Sequence, residues 1–338
     1  MMKTFSMLTM LLFVFALANP GLARTRSVNC NNSDETIAGV LARSDPGDII
    51  RIRGTCREQV VITTDRLTLE GRNNAVIDGE NVDLVGVPAL WIIDAAQGIV
   101  ITGELTVQNS AAIGISVVNN AQAFFRGNIV SQHNASHGII AFSGGSVLFD
   151  TETVNTMDNG GDGLAVANGA NAYLNLAPFD AFMVTSERNL HGIHVANGGS
   201  MQMLGGTLRA AENRAHGLRV AYGANLFITG LGKVYLQDNH LQGLNIESNA
   251  QALVRKSPRI TEKTVTITGN AMAGVSVQAG FIDLREAEIT ANGSMDNGFD
   301  VDLGFGTRAH LTGNTIDTLN CDMTVLLSPA TDVACPAP

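Results

Sequence analysis

Short runs in which apolar and polar residues alternate recur through most of the chain, broken by glycine and asparagine. One unit reads GLRV (217–220), ANLFIT (224–229) and KVYLQ (233–237), with AYG and GLG between the runs. Runs this short with period 2 predict strands that bury one face only. Related units begin GISVV (114–118), GIIAF (138–142), GLAVA (163–167), GIHVA (192–196), GLNIE (243–247) and GVSVQ (274–278), and GFDVD (298–302) extends the series. The leading glycines are therefore 24 to 31 residues apart. Three short strands cannot enclose a core of their own. Stacked copies can, with each backbone pairing to the coil above and below.

A second column supports this register. Asparagine stands four residues before the glycine at Asn134, Asn159, Asn213, Asn239 and Asn270, and Asn189 is one place off. Amides stacked at one turn can hydrogen-bond from coil to coil, so the column reads as structural. Leucine-rich repeats and propeller blades are excluded, because neither signature is present.

Over residues 48–320 these units resemble the pectin-lyase-like superfamily in its short parallel β-helix repeat form. The resemblance implies an all-β fold: a single-stranded right-handed parallel β-helix, or solenoid, of about ten coils with a short N-terminal capping helix. SDETIAGVLARSDPGD (33–48) suits that helix, with Ser33 or Asp34 as its cap and Ile37, Val40 and Leu41 on one face. The expected division is a signal peptide (1–23), an N-terminal cap (24–48), the β-helix (49–316) and a C-terminal cap or tail (317–338).

The first segment carries Lys3, the apolar run 7–18 and the small residues Gly21 to Ala23, the pattern of an export signal. A secreted or periplasmic location follows, with no integral membrane segment after cleavage. Four cysteines agree with an oxidising compartment, and end-local pairing of Cys30 with Cys56 and of Cys321 with Cys335 is expected in an elongated solenoid. The net charge of −10 becomes −11 without Lys3, which argues against nucleic acid and anionic membranes.

The superfamily contains lyases, hydrolases, epimerases and binding proteins, so the fold alone assigns no activity. The motifs N-T-D, D-D, G-H-G and R-I-K of its polygalacturonase-like hydrolases are absent, as is the D-P-H of its alginate epimerases. Trp91-Ile92-Ile93-Asp94 approaches the W-I-D-H of its pectate lyases without the histidine, and Asp94 reads as a turn residue.

Stacking itself supplies a candidate site, since equivalent residues one coil apart lie about 4.8 Å from each other. Two positions after the glycine, on the outward side, the column runs Ser116, Ile140, Ala165, His194, Arg219, Asn245, Ser276 and Asp300. Just before the glycine it runs Ile113, His137, Asp162, His191, His216, Gln242, Ala273 and Asn297. Polysaccharide β-elimination needs a base for the sugar C5 proton, an acid for the leaving oxygen and a cation for the enolate-like intermediate. His191 or His194 is the candidate base, His216 the proton donor and Arg219 the cation. Asp162, Asn245 and the basic residues Arg255, Lys256 and Arg259 are candidate substrate contacts. The competing reading is that these are solvated turn and strand positions with no chemistry. No cofactor is required; calcium is left open by the carboxylates of MDNGGDG (157–163) and MDNGFDVD (295–302). The expected function is binding or processing of polysaccharide, lyase-type if catalytic. The alternatives are a non-catalytic surface scaffold or a periplasmic carbohydrate-binding module.

Overall fold

In the computed structural model every strand pairing is parallel, and each strand lies beside its counterparts one coil away. Ile139–Phe142 pairs with Ile115–Val118 on one side and with Leu164–Ala167 on the other. The structure describes residues 23–31, 35–80, 86–174, 182–230, 232–255, 264–295, 298–328 and 333–335. Among them, one sheet stacks eleven strands and a second contains twenty-one. The larger sheet turns a corner: the long strand Ile99–Gln108 pairs with both Gln122–Phe125 and Asn128–Gln132. Gly103 sits at that corner with φ 76°, where a Cβ would come within 2.1 Å of the Gly71 carbonyl oxygen. The stacked, wholly parallel sheets have the architecture of a parallel β-helix.

Period 2 puts alternate side chains into one continuous interior. Ile115, Val117, Leu164, Val166, Ile193 and Val195 are all buried, and Phe125 stacks on Phe149 with ring centroids 4.9 Å apart. The unit quoted first becomes the strands Leu218–Val220, Asn225–Ile228 and Lys233–Gln237.

The asparagine column is a buried amide ladder. The Asn239 carbonyl oxygen accepts from the backbone and side-chain nitrogens of Asn213 at 3.1 and 2.9 Å. Its amide nitrogen donates to Ala210 O at 3.1 Å and to Asn270 Oδ1 at 2.8 Å. Asn189, one place off in the sequence, lies in the ladder: Asn159 donates to its Oδ1 through both backbone and side chain. A turn one residue shorter in that coil absorbs the offset. The repeating glycine follows from the ladder, since a Cβ on Gly217 would stand 2.7 Å from the Asn239 amide nitrogen. The ladder ends on Asp300, whose Oδ1 accepts from both nitrogens of Asn292. This corrects the register expected from Gly298. Val275 pairs with Val301, so Asp302, not Asp300, continues the outward column after Ser276.

At the N-terminal end the one described helix, Ile37–Leu41, buries Ile37 and Val40 and packs on the first strands. Thr36 caps it by accepting from the Gly39 amide at 3.0 Å, rather than Ser33 or Asp34, which lie outside the described residues. Glu58 accepts from the Ile37 and Ala38 amides at 2.7 and 2.9 Å, so a carboxylate faces the positive helix end. Disulfides join Cys30 to Cys56 and Cys321 to Cys335, with Cα separations of 5.0 and 5.5 Å. The expected signal segment lies outside the described residues, apart from Ala23. No described helix is long and apolar enough to cross a membrane.

Candidate functional site

The turn leading into the eleven-stranded sheet is held by one backbone hydrogen bond per coil. Gly114 N donates to His137 O, Gly138 N to Asp162 O, Gly163 N to His191 O, and Gly192 N to His216 O. This fixes His137, Asp162, His191 and His216 in a file. The adjoining strand carries the second file, with Ala165 beside His194, His194 beside Arg219, and Arg219 beside Asn245. The small Ala165 leaves room for His194 to lean across it towards the preceding coil. There His194 Nδ1 lies 3.0 Å from Asp162 Oδ2.

His191, His194, His216 and Asp162 thus converge. The His191 and His216 rings stack with centroids 5.0 Å apart and 12° between planes, and His194 meets His191 edge-on at 5.2 Å. Asp162, His191 and His216 are buried, and His194 is nearly so. The outward file is more enclosed than a solvated face would be, because Ser116, Ile140, Ala165, Asn245 and Ser276 are also buried. Adjacent coils are close enough for their larger side chains to shield the small ones.

Hydrogen-bond partners orient the rings. A carboxylate only accepts, so His194 Nδ1 carries a proton towards Asp162. His194 Nε2 is buried with no hydrogen-bond partner among the described residues. His137 Nδ1 lies 3.0 Å from the Asp162 backbone nitrogen and 3.3 Å from its carboxylate. The amide N–H can only donate, so His137 Nδ1 accepts there and the ring keeps its proton on Nε2. His191 Nδ1 likewise accepts from the His216 amide at 3.3 Å. Burial works to raise the Asp162 carboxyl, but the adjacent His137 and His194 side chains outweigh it and hold the group well below the usual carboxylate range. Burial pushes His191 down to about 4, against the attraction of Asp162. It pushes His216 down to about 3, helped by His191 and Arg219. Both rings are therefore neutral at pH 7.

Arg219 pairs with Glu247, its Nε donating at 2.9 Å, and its guanidinium stands 6.0 Å from the Tyr222 ring centroid. Glu247 and His137 were not assigned roles from the sequence. Both were within reach of the stacking rule: Glu247 lies one coil on from Arg219 at the end of the next strand, and His137 directly precedes Asp162 in its file. Arg255 is not brought to this cluster. It lies on the larger sheet, salt-bridged to the buried Asp283 beside Arg285 and His310. Lys256 and Arg259 fall outside the described residues. Asp158, one of the carboxylates left open for calcium, is held bidentately by Arg188 at 2.7 and 2.9 Å. Asp94 has φ 58°, as a turn residue would.

No family model matches the chain, and no curated protein matches it. Among solved structures it is similar to the A-module of the mannuronan C-5 epimerase AlgE4 of Azotobacter vinelandii. Identity is 13%, with 90% of this chain and 80% of that one covered and a TM-score of 0.44. The AlgE6 A-module of the same organism gives 14%, 89%, 77% and 0.41. The catalytic domain of a GH87 α-1,3-glucanase in complex with nigerose gives 13%, 94%, 70% and 0.34. At these values the likeness stops at the general fold, and no residue role carries over.

Proposed function

We propose that this chain is an exported β-helix protein that binds or processes polysaccharide, acting as a uronate-directed lyase if it is catalytic. The helix at one end and the disulfide-linked tail at the other close the solenoid. The observation that carries the proposal is the Asp162–His194 pair, whose imidazole Nε2 has no hydrogen-bond partner among the described residues, with Arg219 on the adjoining strand. In β-elimination a rotation of the His194 side chain presents Nε2 to the substrate, Nε2 takes the C5 proton, the freed electron pair forms the C4–C5 double bond, and the C4–O bond breaks. Arg219 neutralises the uronate carboxylate as charge develops on it, in competition with Glu247. His216, the candidate proton donor, is held neutral by burial and would offer an N–H rather than an imidazolium. The proton gained by His194 is the one at hand for the leaving oxygen.

Tyr222 supports a sugar contact. At the same turn in successive coils Asn119, Ser143, Asn168, Asn197, Tyr222 and Ser248 all have positive φ. A bulky aromatic there is strained in a way asparagine is not. Tyr222 is nevertheless 53% exposed, an open ring face beside the Arg219 guanidinium.

The test is incubation with a panel of uronate polymers, following ultraviolet absorbance of the unsaturated product. Turnover is expected, and His194→Ala or Asp162→Asn should lower kcat roughly a hundredfold with the fold intact. Silence across the panel, with and without calcium, removes the lyase reading. Saturable glycan binding without turnover would select a binding module, and neither would select a scaffold. Tyr222→Asn should raise KM several-fold at unchanged kcat while stabilising the chain by about 0.5–1 kcal/mol. A KM equal to wild type would remove Tyr222 from the site.

A further inference from the structure

Beyond polysaccharide chemistry, and without depending on it, we propose that Asp162, His191 and His194 form a binding site for a divalent transition-metal ion. One ligand atom from each of the three lies within 4.8 Å of the other two. Donors bonded to an ion at about 2.0–2.2 Å stand roughly 3–3.5 Å apart, so closure needs ring rotations of about an ångström. The neighbouring coils supply what such a site needs. His191 is oriented by the His216 amide, which occupies its Nδ1 and leaves Nε2 as the ligand atom. His194 faces Asp162 with Nδ1 3.0 Å from Oδ2, the spacing of two ligands on one ion once the ion displaces the proton between them.

The donor set also selects the kind of ion. Two imidazoles and one carboxylate suit zinc, copper, nickel or ferrous iron, whereas calcium takes oxygen ligands almost alone. The adjoining positive charge, Arg219, is paired with Glu247. Three ligands with two imidazoles leave coordination positions open for water or another ligand. The other close group of donors, Cys30, Cys56 and Glu58, is not comparable, because its sulfurs form a disulfide.

The experiment is calorimetric titration of the full-length, chelator-treated protein with zinc, copper(II) and calcium salts at neutral pH, with no saccharide present. One zinc or copper ion per chain should bind with micromolar or tighter affinity, and calcium should bind far more weakly. His191→Ala should weaken zinc at least a hundredfold, whereas His310→Ala, at the separate Asp283 cluster, should leave it unchanged. The copper(II) form should show hyperfine coupling to two imidazole nitrogens in electron paramagnetic resonance, lost in part in His191→Ala. Absence of saturable zinc and copper binding to the wild-type chain overturns the proposal. So does stoichiometric binding that His191→Ala and His194→Ala leave intact. A bound ion would occupy His194, the residue assigned as base, so the uronate assay is run on chelator-treated protein, where turnover is read independently of metal binding.

Discussion

The thermal midpoint of the protein should fall steeply as pH drops from about 6.5 to about 4, starting well above the range in which ordinary carboxylates titrate. The cause is the stacked pair His191 and His216, held down to about 4 and about 3 by burial. In the unfolded chain both titrate near 6.5. Below that pH the unfolded state binds protons that the folded state refuses, so the stability is complete above 6.5 and declines as pH falls towards the folded values. Each such ring costs about 1.4 kcal/mol per pH unit. For two rings over this window the loss is on the order of 5 kcal/mol, a large part of the stability of a typical domain. Several charged groups modulate the shift: Asp162 and Glu247 favour protonation of His191, while His194 and Arg219 oppose it. Asp162, Asp158, Glu70 and Asp48 are displaced downward, so the stability they contribute is lost only at lower pH, as a separate phase. His216→Phe keeps a stacking ring and removes one titration, and should roughly halve the slope between pH 6.5 and 4. A midpoint that is flat over this range in the wild type, or a slope unchanged in His216→Phe, would show that the rings are not neutral when buried.

The solenoid was readable because its two signals, alternation within strands and glycine–asparagine spacing between them, have one cause. The amide ladder needs a residue without a side chain beside each rung, so the two columns specify each other. The same stacking rule placed Asp162, His191, His194 and His216 together before any coordinates. Register was less legible where a turn changed length. Asn189 entered the ladder despite its offset, and the last coil is counted from Asp300, not Gly298. Protonation states were not legible at all. They depend on enclosure of the outward file and on the small Ala165 that lets His194 cross to Asp162, neither of which has a periodicity. Arg255 shows the limit of composition. Its neighbours in sequence suggested a basic grip on acidic glycan, but it faces the buried Asp283 on the larger sheet.

Asn239→Leu should destabilise the middle of the solenoid by on the order of 4–6 kcal/mol, although it replaces a buried amide with an apolar side chain of similar size. The side chain is 1% exposed and makes four hydrogen bonds. Its loss strands the backbone and side-chain N–H groups of Asn213 and the carbonyl of Ala210, at about 1–3 kcal/mol for each buried group left unpaired. Coils touch only their neighbours, so amide hydrogen exchange should accelerate around residues 207–270 and stay near wild type in the first coils. Asn171→Ala, at a half-buried strand position outside the ladder, should change stability by less than about 0.5 kcal/mol. Asn239→Asp separates an amide requirement from one of shape. A carboxylate accepts from Asn213 as before, but it would face the Ala210 carbonyl and Asn270 Oδ1 with no proton to give. At Asp300 the same side chain fits, because it is the final rung. There Oδ1 accepts from Asn292 and Oδ2 accepts from the Thr318 amide at 3.1 Å, with no further acceptor to satisfy. Asn239→Asp should therefore be at least as damaging as Asn239→Leu at neutral pH, whereas Asp300→Asn, which turns an NH2 towards the Thr318 amide and strands that one donor, should cost about 1–3 kcal/mol. Equal tolerance of aspartate at both positions would mean that the ladder is held by backbone pairing alone.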